Sequence, residues 1–126
     1  MPAKKGRQSR HLPAFILLTV AEGPLHGGAI HSELLRRIPG FTVDTGAVYR
    51  TLKILETDGE VESSWDTAGS GPARKIYRLT TAGAKKLEAW KTDIEYRLTI
   101  LRHFLTAYDQ LKPDQAATKE PPRTQA

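Results

Sequence analysis

The sequence predicts a mainly α domain with a small β-hairpin and a long helix at its C-terminal end, and three observations lead there. Apolar residues recur at helical spacing in three short segments between residues 12 and 58. Two strand-like runs follow, flanking the loop Thr67-Ala68-Gly69-Ser70-Gly71-Pro72. Beyond residue 80, Leu87, Trp90, Ile94, Leu98, Leu101, Leu105 and Tyr108 are spaced 3, 4, 4, 3, 4 and 3, nearly a heptad seam.

Each element has its own punctuation. Residues 12–21 read as a short buried helix, because Pro13 suits a first turn and Gly23-Pro24 stops it. A second helix is expected from about Gly27 to Ile38, with Ile30, Leu34 and Ile38 as its apolar stripe and Pro39-Gly40 closing it. The third begins at Asp44 or Thr45, where a side-chain oxygen caps free N–H groups, and ends at Asp58-Gly59. Strands are expected over Glu60–Asp66 and Arg74–Leu79, with Val61, Ser63 and Trp65 on one face and Trp65 anchoring the hairpin; its exposure is the alternative. Thr80 or Thr81 caps the long helix, which reaches about Leu111 before Pro113. The expected organisation is a basic arm over 1–11, a folded body over 12–79, a dimerisation helix over 80–112 and a disordered tail over 113–126.

Composition narrows the function. The 126 residues hold no cysteine, which excludes disulfides, thiolate metal sites and a cysteine nucleophile. The longest apolar run, Ala14–Leu18, is too short to span a bilayer, and the basic start lacks a signal-peptide core, so a cytoplasmic protein is expected. Net charge is +5, and its distribution says more. Lys4, Lys5, Arg7 and Arg10 give residues 1–11 a charge of +4 without an acid, whereas 12–79 carry seven basic and eight acidic groups. Such an arm suits nucleic acid or an anionic surface, and equally a solvated tail.

Three short helices and a hairpin in this order describe a winged helix-turn-helix. In that arrangement the third helix fits the major groove of double-stranded DNA and the hairpin loop, or wing, lies on neighbouring phosphates. Val48, Leu52 and Leu55 form the buried face of the third helix, which leaves Gly46, Arg50 and Lys53 opposite and Tyr49 on the flank. The candidate DNA-binding set is therefore Thr45, Gly46, Tyr49, Arg50 and Lys53, with Ser70, Gly71, Arg74 and Lys75 from the wing and Arg7 and Arg10 from the arm. Arg50 reaches a guanine edge or a phosphate equally well.

The run Val48-Tyr49-Arg50-Thr51-Leu52-Lys53-Ile54-Leu55-Glu56 resembles the third-helix signature of the PadR family of bacterial transcriptional regulators. Glu22-Gly23-Pro24-Leu25-His26-Gly27-Gly28 is similar to the family's turn before the second helix, with Gly28 where an aromatic residue is usual. Ser64-Trp65 and the run from Gly71 to Gly83 resemble its wing and the start of the next helix. The resemblance covers about residues 12–90. It implies a homodimeric, non-enzymatic repressor of palindromic promoter DNA, with Trp90, Ile94, Leu98, Leu101, Leu105 and Tyr108 at the dimer interface. It also leaves room for a small-molecule effector, for which Trp90 is the candidate contact, its other reading being a dimer-core residue.

Other chemistry finds little support. His26 and His31 are five apart, whereas shared metal ligation on one helix face needs four, and His103 reads as a helix-surface residue. No nucleophile has a recognisable setting, Asp58 and Glu60 suit a helix end and a turn, and Gly69-Ser70-Gly71 lacks the lysine of a phosphate loop. No cofactor or metal is expected. The rival reading is a winged-helix module for a protein partner, which the near-neutral body favours and the basic helix, arm and wing oppose.

Overall fold

The computed structural model describes residues 10–112, so the calls on Arg7, on the rest of the arm before Arg10 and on the tail lie outside the described residues. Seven elements follow one another: α1 (Leu12–Ala21), β1 (Leu25–His26), α2 (Gly27–Arg37), α3 (Thr45–Thr57), β2 (Val61–Asp66), β3 (Arg74–Leu79) and α4 (Thr81–Asp109). The chain divides into a winged body, through Trp90, and the outer stretch of α4 from Lys91 onward.

In the body, α1 carries Pro13 in its first turn and buries Leu12, Ala14, Ile16, Leu17, Thr19 and Val20. The Thr19 hydroxyl donates to the Phe15 carbonyl at 2.8 Å, so its burial leaves no donor unmet. Ile30 and Leu34 of α2, Val48, Leu52 and Leu55 of α3, and Val61 and Tyr77 of the sheet complete one core. Burying each large aliphatic chain stabilises the fold by about 1.5–3 kcal/mol. Arg37 holds the Glu22 carboxylate with both terminal nitrogens, at 3.0 and 2.6 Å, and so ties α2 to the end of α1. That pairing holds the Glu22 carboxyl below the usual carboxylate range.

The sheet has three strands in the order β1-β3-β2, all antiparallel. The expected hairpin is therefore joined by a third strand, β1, in which Leu25 pairs with Tyr77 and His26 with Ile76. Leu25 packs against the core from this short edge, directly before α2. Alternation along β2 follows the expected phase, but Trp65 does not anchor the hairpin: it is 65% exposed, because the body beneath β2 ends before it.

The root of α4 is fastened to the end of α3. Thr80 caps α4 by accepting from the Gly83 N–H at 2.9 Å while its hydroxyl donates to the Gly59 carbonyl at 2.6 Å. Gly83 is buried against the Glu60 carbonyl, and a Cβ there would come within 2.0 Å of that oxygen. Gly59 takes a φ of +76°, the left-handed turn that closes α3. Among the described residues no helix is long and apolar enough to cross a membrane.

Candidate nucleic-acid interface

Helix α3 starts where the sequence predicts, because the Asp44 carboxylate accepts from the Ala47 N–H at 2.7 Å. With Val48, Leu52 and Leu55 turned inward, Thr45, Gly46, Tyr49, Arg50 and Lys53 lie on the exposed side. Ile54, 59% exposed, joins that surface one turn from Arg50. Sequence reasoning passed over Ile54, although its position off the 48-52-55 stripe was the available signal.

Two glycines shape the surface. Gly27, buried at the start of α2, lies under the Tyr49 ring, which seats the half-exposed tyrosine against α2. Gly46 lies under the Arg50 side chain: a Cβ there would come 3.0 Å from the Arg50 Nη1, so the guanidinium runs back along the helix. Neither Arg50 nor Lys53 forms an ion pair among the described residues. The outer surface of α3 is thus cationic and open to an anionic partner.

The wing candidates separate onto two faces. Lys75, opposite Trp65, shares its face with Tyr77 and Ser63, toward α3. Its Nζ is 3.5 Å from the Glu56 Oε1 and 5.7 Å from the centre of the Tyr77 ring. Glu56 also accepts from the Ser63 hydroxyl at 2.6 Å, and this bond first, then Lys75, holds its carboxyl low. Arg74 lies on the other face with Ile76, Arg78 and His26, and Arg78 donates to the Ser64 hydroxyl at 3.1 Å. Ser70 and Gly71 are exposed in the loop between the strands, and Arg10 is exposed before α1.

His26 belongs to this region, which sequence reasoning did not see. Its Nδ1 accepts from the Ala29 N–H at 3.3 Å, capping α2, and its Nε2 lies 3.1 Å from the Arg74 Nη1. A Cβ at Gly28 would stand 3.3 Å from the same ring. His31 is used elsewhere, with Nε2 2.7 Å from the Val43 carbonyl. Among the described residues no group of three or more His, Asp or Glu side chains could hold a metal ion.

The expected interface residues of α4 fall into two sets. Leu87 and Trp90 pack against the core of the winged body, where the Trp90 ring meets His11 edge-on at 5.9 Å. Ile94, Leu98, Leu101, Leu105 and Tyr108, in the outer stretch, are exposed, as are Tyr96, Ile100, Phe104 and Leu111. Phe104 and Tyr108 stack at 6.3 Å, while Lys91–Glu95 and Asp93–Arg97 ion pairs occupy polar positions.

Comparisons with known proteins agree with this geometry. The family model for the PadR-like transcriptional regulators matches residues 16–89. The transcriptional regulator Rv3488 of Mycobacterium tuberculosis (strain ATCC 25618 / H37Rv) is 39% identical over 72 residues, which span 57% of this chain and 64% of that protein. A crystal structure of TM0937, described as a conserved protein of unknown function and potential transcriptional factor, is 35% identical with a TM-score of 0.65, over 82% of this chain and 95% of that one. A PadR family transcription regulator from Clostridium difficile R20291 shares the fold with a TM-score of 0.69 at 24% identity, over 75% of this chain and 98% of that one.

Proposed function

Because this chain belongs to the PadR-like family of transcriptional regulators, we propose that it acts as a homodimeric DNA-binding repressor. In this reading α3 enters the major groove of palindromic promoter DNA, and the wing and basic arm grip the backbone. The outer stretch of α4 pairs with a second copy, which covers its apolar residues. The observation that carries the reading is the outer face of α3, where Arg50 and Lys53 stand exposed without an ion-pair partner among the described residues.

Arg50 reads a base edge, and Lys53, Arg74 and the arm supply phosphate contacts. A small-molecule effector that releases the DNA engages Trp90. Its titration is followed by fluorescence in Trp65→Phe, and DNA release without change at Trp90 excludes that site.

The test of DNA recognition is binding of a duplex selected from a random library, compared with random duplex at two salt concentrations. Arg50→Ala should lose about 1–3 kcal/mol on the selected duplex and much less on random DNA. A wild type that binds neither duplex, or whose binding is indifferent to salt, overturns the reading.

A further inference from the structure

We propose that His26 and Arg74 form a two-donor clamp for one backbone phosphate of DNA, an inference that rests on the DNA-binding reading above. It begins with the accounting of one imidazole ring. The Ala29 N–H points at the His26 Nδ1 from 3.3 Å, so Nδ1 must offer a lone pair and the single ring proton resides on Nε2. The Arg74 Nη1 lies 3.1 Å from that Nε2, and a guanidinium has donors only. Two N–H groups therefore face one another with no acceptor between them. The other tautomer moves the conflict without removing it, since Nδ1–H would then oppose the Ala29 N–H. An oxygen with two lone pairs, placed where both donors reach it, satisfies the ring and the guanidinium together.

The surroundings leave that role to an outside group. The carboxylate opposite Arg74 in the sheet is Asp66, but its Oδ1 accepts from the Ala68 N–H at 3.1 Å and forms no ion pair with Arg74. Arg74 is exposed at the exit of the wing loop, beside Ser70 and Gly71 in sequence. His26 directly precedes Gly27, on which Tyr49 of α3 rests. The paired donors thus lie at the exit of the wing loop, on the sheet face turned away from Lys75 and α3, where a DNA strand gripped by the wing brings a phosphate. Charge-assisted bonds from Arg to phosphate are the strong ones, and the neutral imidazole donor fixes the register.

The test separates the cap from the clamp. In His26→Asn the side-chain oxygen still caps α2, as asparagine does well, but the amide N–H groups sit closer to the backbone and the donor at the reach of Nε2 is gone. The melting temperature should stay at the wild-type value while affinity for selected and random duplex alike falls about tenfold. The salt slope should not change in His26→Asn, because a neutral donor displaces no counterion, and it should drop by about one in Arg74→Ala. The double variant should bind no worse than Arg74→Ala. A scan of single methylphosphonates along the selected duplex should find one position whose penalty in wild type is reduced in His26→Asn and nearly lost in Arg74→Ala. Should His26→Asn melt lower, the same scan on wild type and Arg74→Ala decides the matter alone. An unaltered affinity in a normally melting His26→Asn, additive losses in the double variant, or no such methylphosphonate position overturns the clamp. If the wild type binds duplex and Arg50→Ala weakens it, those results sink the clamp alone; if the wild type binds no duplex, the DNA reading falls with it.

Discussion

Glu56 of α3 holds Lys75 of β3 at 3.5 Å, across 19 positions of sequence, and takes the Ser63 hydroxyl at 2.6 Å with its other oxygen. The carboxylate stands between α3 and the wing and neutralises the wing cation turned toward α3. Glu56→Gln should release Lys75 and remove a negative charge from the side proposed to meet DNA. Affinity for every duplex should rise about threefold to tenfold at low salt, with a steeper salt slope. An unchanged slope, measured by fluorescence anisotropy, would show that Lys75 does not reach phosphate.

The contact between Gly27 and Tyr49 predicts an overpacking defect with a defined rescue. A Cβ at Gly27 would meet the Tyr49 Cε1 at 2.3 Å, so Gly27→Ala must displace the ring. Denaturant unfolding should show a loss of about 1 kcal/mol, the low end of overpacking costs, because the clash falls on the outer end of a half-exposed ring. In a Tyr49→Ala background the same change should cost nothing or stabilise, since alanine suits a helix better than glycine. Equal losses in both backgrounds would contradict the packing account.

The outer stretch of α4 predicts the oligomeric state. Leu101 is 62% exposed within a stripe that continues through Leu98 and Leu105, an apolar surface that a lone helix leaves in water. Light scattering should find a dimer at micromolar concentration. Leu101→Glu, which buries a charge in the seam, should raise the dimer dissociation constant about a hundredfold or more. A monomeric wild type would remove this basis for the homodimer.

Glu60 gives a dependence on pH with a definite sign. Desolvation raises its carboxyl pKa from the ordinary 4.5, against an opposing pull from Lys86, and its Oε1 is buried without a hydrogen-bond partner among the described residues. The folded state therefore keeps the proton above pH 4.5 while the unfolded chain has lost it. Stability from this group falls as pH rises through that window, and the penalty stays constant above it. Glu60→Gln should melt about 2–4 °C higher than wild type at pH 7, with the gain gone at pH 4. A gain of equal size at both values would point to packing instead of charge.

Much of this fold is readable in the residues. Pro13, Gly23-Pro24 and Asp44 place the ends of α1 and α3 because capping and chain-breaking are local effects. The buried face of α3 follows from spacing alone, as does that of α2 at Ile30 and Leu34. Ile38, expected on the same stripe, lies past the end of the helix on extended backbone and is only half-buried. What escaped is long-range or too short to be periodic. β1 has two residues, so no alternation announces it, and only its pairing with β3 makes it a strand. Trp65 has the right phase for burial, but how far the body extends beneath β2 is a tertiary property that alternation along one strand does not carry. The Glu56–Lys75 pair and the approach of His26 to Arg74 join residues 19 and 48 positions apart, beyond the reach of local pattern.

Thr80 has a further consequence for how this architecture can vary. It is the whole connection between β3 and α4, and it is bonded at both ends, to Gly59 behind and Gly83 ahead. No slack residue stands between the sheet and the helix, so the rotational phase of α4 through Trp90 is inherited from the sheet. One residue inserted after Thr80 would turn the helix by about 100° and carry Leu87 and Trp90 away from the core they pack against. Length variation in chains of this kind should therefore collect in the wing loop, where no helix has to keep its bearing.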